Sequence, residues 1–271
     1  VKVDYHLHTW CSDGALAPAE MLALIRREGV ESFAITDHDT CAAWTILRGT
    51  PGLLCGVEAT GGHDDREIHI VGLGIDSDHP QLADLLQRIR AIRERRITAL
   101  IARLPTAVSR GLTLEEVRDH RPHAGHALSR NHLARALVKR GGVPTYREAF
   151  DRHLGDEYIR DPNLPAFPPV AEITGAIRAA GGVSLLAHPG MYRHLAVIFA
   201  LVELGCDGLE VAHPSLDPTL AAGMQARAQE RGWLMGVGTD THILGSRRPG
   251  QCVLAEPLLR PLLQRLGVGQ R

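Results

Sequence analysis

Histidines and carboxylates recur along this chain at the ends of short apolar runs. The first group is Asp4-Tyr5-His6-Leu7-His8, followed by Ser12-Asp13-Gly14. Thr36-Asp37-His38-Asp39, Gly56-Val57-Glu58, Glu67-Ile68-His69, Ala187-His188-Pro189 and Gly238-Thr239-Asp240-Thr241-His242 continue the series. Neutral imidazole and carboxylate are the donors that suit zinc, manganese and iron. The series exceeds what one ion needs. It points to a site with several ions, for which hydrolysis of a phosphate ester is the usual chemistry.

Each group carries a physical expectation. His6 and His8 are two apart, so on a strand they share one face and both can reach one ion. Asp4 shares that face and is expected to accept from an imidazole and fix its tautomer. Thr36–Asp39 follow the apolar Phe33-Ala34-Ile35, where unpartnered polar groups are costly to bury. Glu58 ends an apolar run, and a carboxylate there can bridge two cations. His69 lies between Ile68 and Ile70 and faces away from both. A lone histidine in a strand is more often a hydrogen-bonded core residue than a ligand. His188 precedes Pro189, which sharpens the turn. Asp240 and His242 repeat the two-apart spacing. His213 ends Glu210-Val211-Ala212 and is expected to touch substrate or a water beside it. His63 lies in the polar loop Thr60–Arg66 and is left out of the metal set.

The elements that must position these residues alternate between strand and helix. Strands are predicted at Val1–Tyr5, Ser32–Thr36, Leu53–Val57, Glu67–Leu73, Val183–Ala187, Gly208–Ala212 and Leu234–Gly238. Pro18–Glu28 has Met21, Leu22, Leu24 and Ile25 at helical spacing, with proline in the first turn and Gly29 as the stop. Further helices are predicted near 170–180, 195–204, 217–231 and 256–266. Polar residues at the C-terminal ends of βα strands are the barrel arrangement. Between these halves the character changes. Gln81–Leu104 reads as one long basic helix whose arginines form its solvent face. Leu112–Arg121 and Asn131–Arg140 follow as helices, then a stretch with Pro162, Pro165, Pro168 and Pro169.

Composition bounds the function. The chain has 271 residues, 44% hydrophobic and 23% charged, with a formal net charge of −1. Such a balance gives no global basic field for duplex nucleic acid. No apolar run reaches the roughly 18 residues of a membrane span. No leader is expected at the start, because the first strand already carries chemistry. Cys11, Cys41, Cys55, Cys206 and Cys252 form neither a CxxC pair nor a disulfide framework. Reduced thiols in a cytoplasm are the expectation.

Taken together, the motifs resemble the PHP family, named for polymerase and histidinol phosphatase. They are DxHxH at 4–8, SDG at 12–14, TDHD at 36–39, GVE at 56–58, EIH at 67–69, AHP at 187–189 and GTDTH at 238–242. The resemblance spans nearly the whole chain. It implies a distorted (β/α)7 barrel from residues 1–78 and 170–271, with 79–169 as a mostly helical cap insertion. It also implies two or three divalent metal ions (Mn, Fe or Zn). His6, His8, Glu58 and Asp240 would hold one; Glu58, His69 and His188 a second; Asp13, His38 and His242 a third. The last motif often reads GSDFH in the family, and here Thr241 replaces the aromatic. The stretch from Asp39 to Glu58 is short for the family, so a helix there is expected to be curtailed.

The middle segment is similar to the cap of nucleoside 3′,5′-bisphosphate phosphatases and related 5′-to-3′ exoribonucleases. Leu128–Val138, Ala149–Gly155 and Tyr158 carry that likeness. In that branch an arginine after the serine, and a basic residue near the tyrosine, meet substrate phosphate. Arg130 matches the first position. Arg160 matches the second loosely, because Asp161–Pro165 departs from the pattern. Arg193, after Met191-Tyr192, is a further candidate.

The chemistry implied is metal-assisted hydrolysis, with hydroxide attacking phosphorus in line. Arg130 would stabilise charge on the phosphoryl oxygens, and Asp13 or His242 would stand near the leaving oxygen. The expected substrate is a small nucleotide or a short single-stranded RNA end, with no duplex DNA and no membrane partner. A phosphodiesterase acting on RNA ends or a cyclic phosphate is the alternative. A non-catalytic metal-binding or polymerase-associated domain fits less well, since the ligand set is complete. An amidohydrolase would ordinarily offer a carboxylated lysine or an equivalent bridge, and neither Lys2 nor Lys139 ends a barrel strand.

Overall fold

The structure, a computed structural model, describes residues 1–120, 126–243, 245 and 247–269. Arg121, the expected end of a helix, lies outside the described residues. The first part runs β1 (Val3–Asp4), α1 (Pro18–Arg27), β2 (Ser32–Ile35), α2 (Ala42–Leu47), β3 (Leu53–His63) and β4 (Arg66–Leu73). Helical segments follow as α3 (Pro80–Arg103), α4 (Thr106–Ser109), α5 (Leu114–Arg118), α6 (Arg130–Lys139), α7 (Tyr146–Ala149) and α8 (Asp156–Ile159), with a π-helical turn at Phe150–Leu154. Alternation then resumes with α9 (Val170–Ala179), β5 (Val183–Leu186), α10 (Leu195–Val202), β6 (Gly208–Ala212), α11 (Pro218–Arg231), β7 (Leu234–Val237) and α12 (Glu256–Arg265). The short α2, six residues long, is the curtailed helix expected before Glu58.

The seven strands form one mixed α/β sheet in the order β1-β2-β3-β4-β5-β6-β7. Its two ends meet: the Tyr5 N–H donates to Val237 O at 3.1 Å, and the His8 N–H donates to Thr241 O at 3.0 Å. The sheet is not a uniform βα repeat. β4 is antiparallel to both β3 and β5. The cause is local. β3 and β4 are joined only by Asp64 and Asp65, with φ of 47° and 58°, as a two-residue type I′ hairpin turn requires. Such a turn leaves no room for a crossover helix.

That hairpin corrects the reading of Thr60–Arg66 as a loop, because β3 continues to His63. Glycines make this possible. A Cβ on Gly61 would sit 3.1 Å from Ile173, and one on Gly62 would sit 3.0 Å from Phe167 O. The Gly62 N–H instead donates to Pro168 O at 2.8 Å.

Buried apolar side chains group on both sides of this frame. Met21, Leu24 and Ile25 of α1 pack with Phe33 and Ile35 of β2. Each fully buried aliphatic side chain contributes about 1.5–3 kcal/mol. Gly29, at φ 69°, ends that helix. Leu82, Leu85, Leu86 and Ile89 of α3 join the main core with β3, β4 and β5. Farther along α3, Ile97 and Leu100 enter a separate core with Leu128, Leu133, Leu137 and Leu154. Helix α3 therefore belongs to both cores. The expectation that its arginines face solvent fails for Arg93 and Arg96, each only 8% exposed. Arg93 pairs with Asp39, and Arg96 pairs with Glu67 at 3.1 Å. No described helix is long and apolar enough to cross a membrane.

Candidate metal centre

His6 and His8 follow β1, His38 follows β2, His188 follows β5, His213 follows β6, and Asp240 and His242 follow β7. Glu58 and His69 lie inside β3 and β4 rather than at strand ends, since both strands of the hairpin run past them. The antiparallel β4 thereby delivers His69 to the same rim. Non-glycine residues there adopt left-handed backbone: Asp39, His188 and Asp240 have φ of 52°, 29° and 53°. Such conformations carry strain and persist where the surroundings over-determine them.

The side chains converge on Glu58. Its Oε1 lies 3.0 Å from His69 Nδ1 and 2.8 Å from His188 Nε2. Its Oε2 lies 3.2, 3.1 and 3.1 Å from His6 Nε2, His8 Nε2 and His38 Nδ1. Asp240 Oδ1 is 3.3 Å from His8 Nε2 and 3.2 Å from His242 Nδ1. Asp13 Oδ1 is 3.2 Å from His242 Nε2, and its Oδ2 is 3.7 Å from His38 Nε2. His38 thus stands between the Glu58 and Asp13 groups, and is not confined to the set with Asp13 and His242 that the family resemblance implies.

These atoms suit divalent cations. Glu58 Oε2 sits among imidazole nitrogens yet accepts no hydrogen bond, and His38 Nδ1 and His69 Nε2 are also buried without one. Ligands bonded at about 2.0–2.2 Å stand roughly 3.0–3.5 Å apart, which is the spacing observed. Burial holds His38 well below the ordinary imidazole range, while the carboxylates around them push His6, His8 and His69 up; the neutral ring is the form that binds a metal.

Buried carboxylates outside the cluster hold its backbone and rings. Asp4 does not reach an imidazole ring, contrary to expectation. It accepts from Thr239 N at 3.1 Å, Thr239 Oγ1 at 2.6 Å, Gly250 N at 2.8 Å and His6 N at 3.3 Å. The reason is the loop after β7, whose amides have no strand partner. Burial still pushes the Asp4 carboxyl up to about 6. The ring acceptor is Glu210, whose Oε1 is 2.9 Å from His6 Nδ1. Asp37 accepts from Thr9 N and Ser12 Oγ, both at 2.7 Å.

A cavity of about 280 Å³ opens on the cluster, bounded by Asp13, His69, Arg130, Phe150, His213 and Arg247 among others. Arg130 begins α6, where Ser129 Oγ caps the helix by accepting the Asn131 N–H at 3.2 Å. Arg130 Nη1 donates to Leu154 O at 2.7 Å, and its guanidinium stands 5.8 Å from the Phe150 ring centre. Arg160 lines a smaller adjoining cavity of about 60 Å³ with Arg66, Arg130 and Tyr192. Arg193 is exposed and lines neither cavity. His213 Nδ1 accepts the Ser215 N–H at 3.2 Å, and its Nε2 is 3.8 Å from Asp240 Oδ2.

Sequence reading passed over Glu210, Asn131, Arg93 and Arg247. Arg247 Nη1 donates to Asp240 Oδ2 at 2.6 Å. Asn131 Nδ2 donates to Asp13 Oδ2 at 2.6 Å. Only Glu210 left a signal, an acidic residue between Leu209 and Val211 in an otherwise apolar strand.

Comparison with known proteins places this geometry. No model of a protein family matches the chain. A 3′,5′-nucleoside bisphosphate phosphatase of Chromobacterium violaceum is 32% identical over 285 residues, covering 98% of this chain and 96% of its own. A 5′-3′ exoribonuclease of Haemophilus influenzae is 32% identical over 261 residues, covering 89% of this chain and 90% of its own. Among solved structures, one from Bifidobacterium adolescentis assigned as a metal-dependent phosphoesterase has a TM-score of 0.83 at 28% identity, covering 97% of this chain and 96% of that one. With relatives this similar along nearly their whole length, the chain belongs to the PHP family of metal-dependent phosphoesterases and is a phosphoric ester hydrolase.

Proposed function

We propose that this chain removes the 3′-phosphate of nucleoside 3′,5′-bisphosphates, or of similar nucleotides, at a centre of two or three Mn, Fe or Zn ions. The observation that carries the reading is the cavity that joins the His/Asp/Glu cluster to Arg130. A phosphate at the cluster then has a second anion-binding surface beside it. Residues 79–169 act as the cap that brings this arginine over the barrel. The relatives named for bisphosphates and for RNA support a nucleotide substrate.

The ligands are His6, His8, Asp13, His38, Glu58, His69, His188, Asp240 and His242. Bound divalent ions supply Lewis acidity and a nucleophile at neutral pH. The chain's own residues do the rest. Glu210 holds the His6 ring by its Nδ1, which leaves Nε2 facing the cluster. Arg130 grips the second phosphate with its planar fork. Arg160 extends that basic wall, and His213 contacts the substrate from the opposite side. Arg193, outside both cavities, is the weakest of these candidates. Asp13 and His242 stand beside the leaving oxygen. Phe150 and the cap around it exclude water, which strengthens these charge interactions.

Trimming of short 5′-phosphorylated RNA is the second reading. Arg66 and Arg160 beside Tyr192 favour it by offering a following phosphate a cationic wall. The five free cysteines suit a cytoplasmic enzyme.

The test is Mn-dependent turnover of adenosine 3′,5′-bisphosphate, short 5′-phosphorylated RNA, a cyclic phosphate diester and blunt duplex DNA at equal concentration. The bisphosphate is expected to be fastest, the RNA slower and the duplex poor. Fastest cleavage of the duplex, or a cyclic diester outpacing the bisphosphate by about tenfold (~1.4 kcal/mol), removes the bisphosphatase reading and leaves the phosphoesterase.

A further inference from the structure

The metal-site side chains are held from opposite sides. From the barrel, the Glu210 carboxylate takes His6 Nδ1 on one oxygen and the His188 N–H on the other, at 2.9 and 2.6 Å. From the helical segment, Asn131 Nδ2 donates to Asp13 Oδ2 at 2.6 Å, and Arg135 Nη2 donates to Asp13 O at 3.1 Å.

The Asn131 amide is braced by a further contact. Tyr146 OH donates to Asn131 Oδ1 at 2.5 Å. The ionised Asp13 carboxylate can only accept, so it takes the NH2 group, and the Tyr146 hydroxyl braces the amide from its oxygen end. Helix α3 adds a parallel hold. Arg93 Nε donates to Asp39, and its Nη2 donates to Thr60 Oγ1 at 2.5 Å. Asp39 adjoins His38 and carries the left-handed φ of 52°. Asp13 directly, and His38 through its neighbour, are therefore anchored from outside the barrel. Both belong to the outer ligand group His8, Asp13, His38 and His242.

We propose that the cap completes the outer cation site. Asn131, braced by Tyr146, is a positioning residue for Asp13, and occupancy of the Asp13–His38–His242 site depends on how the cap is seated. The inner ligands His6 and His188 are held by Glu210 and do not share that dependence. The proposal rests on the metal-centre reading given above. Coupling of this kind is reciprocal: a substrate that seats the cap tightens the outer ion, and the outer ion seats the cap.

The test is Mn(II) titration of the metal-free full chain, read by calorimetry and by metal retained after dialysis. His242→Ala identifies the outer step as the one it removes. Asn131→Ala is expected to weaken that same step about 10- to 100-fold, the usual effect of losing a ligand's orienting partner. The remaining steps are expected to stay unchanged. Tyr146→Phe keeps the ring, loses the hydroxyl and is expected to weaken the same step by less. Thermal unfolding checks that both variants fold, and if Asn131→Ala does not, Tyr146→Phe decides alone. An unchanged outer step, or an equal loss in every step, overturns the proposal. A wild-type chain that takes up only inner ions overturns it while leaving the phosphoesterase centre intact. A chain that takes up no ions overturns both.

Discussion

The imidazole of His6 and the carboxylate of Glu210 meet at 2.9 Å across the barrel mouth, 204 residues apart in the chain. The pair is sealed: a Cβ on Gly238 would come within 2.3 Å of Glu210 Oε1 and 2.4 Å of His6 Cβ. Glu210 also fixes the His188 N–H, so one buried carboxylate orients a residue from each of two strand ends.

Glu210→Gln is expected to weaken metal binding about 10- to 100-fold while the chain stays folded. An amide offers one acceptor oxygen and cannot receive both the His6 ring and the His188 N–H. Metal retained after dialysis is the measurement, and wild-type retention would show that His6 is oriented by something else.

Glu58→Ala is expected to abolish phosphate release and lower bound metal together. Both Glu58 oxygens lie among imidazoles, within 3.2 Å of five of them. Removing a carboxylate between cations leaves their repulsion without an offset. Full activity with undiminished metal would take Glu58 out of the site.

Arg130→Ala is expected to lower kcat/KM on a bisphosphate far more than on an aryl phosphate. Losing a charge-assisted contact costs roughly 1.5–3 kcal/mol, about 10- to 100-fold in rate. An equal loss on both substrates would place Arg130 at the reacting phosphate, or in support of the fold through its bond to Leu154 O.

Cys206 gives a pH dependence apart from the site. Burial, and then the charge of Asp207, push its thiol from 9.0 up to about 12. Above about pH 9 the unfolded chain loses a proton that the folded chain keeps, so stability falls as pH rises toward 12. Below pH 9 the thiol contributes no slope. Cys206→Ala removes this contribution, so the difference in Tm between variant and wild type should move in the variant's favour from pH 8 to pH 10. A constant difference would show that the thiol titrates normally.

Much of the centre was legible in sequence because its ligands come in short local motifs. His6 with His8, and Asp240 with His242, stand two apart just past the ends of β1 and β7, so each pair arrives at the site together wherever its strand goes. Helix limits such as Pro18 and Gly29 were equally local, set by a proline and a left-handed glycine. His69 was ambiguous on its own, and the antiparallel β4 decided it by carrying the residue to Glu58.

What tertiary structure alone decided are the partners of those ligands. Asp4 and Glu210 are both acidic residues in apolar strands, and sequence assigned the ring contact to the wrong one. Asn131 reaches Asp13 across 118 residues, and Arg93 reaches Asp39 across 54. No spacing rule links positions so far apart. A buried charge must find a partner, but which partner depends on how helices outside the barrel come to rest on its rim.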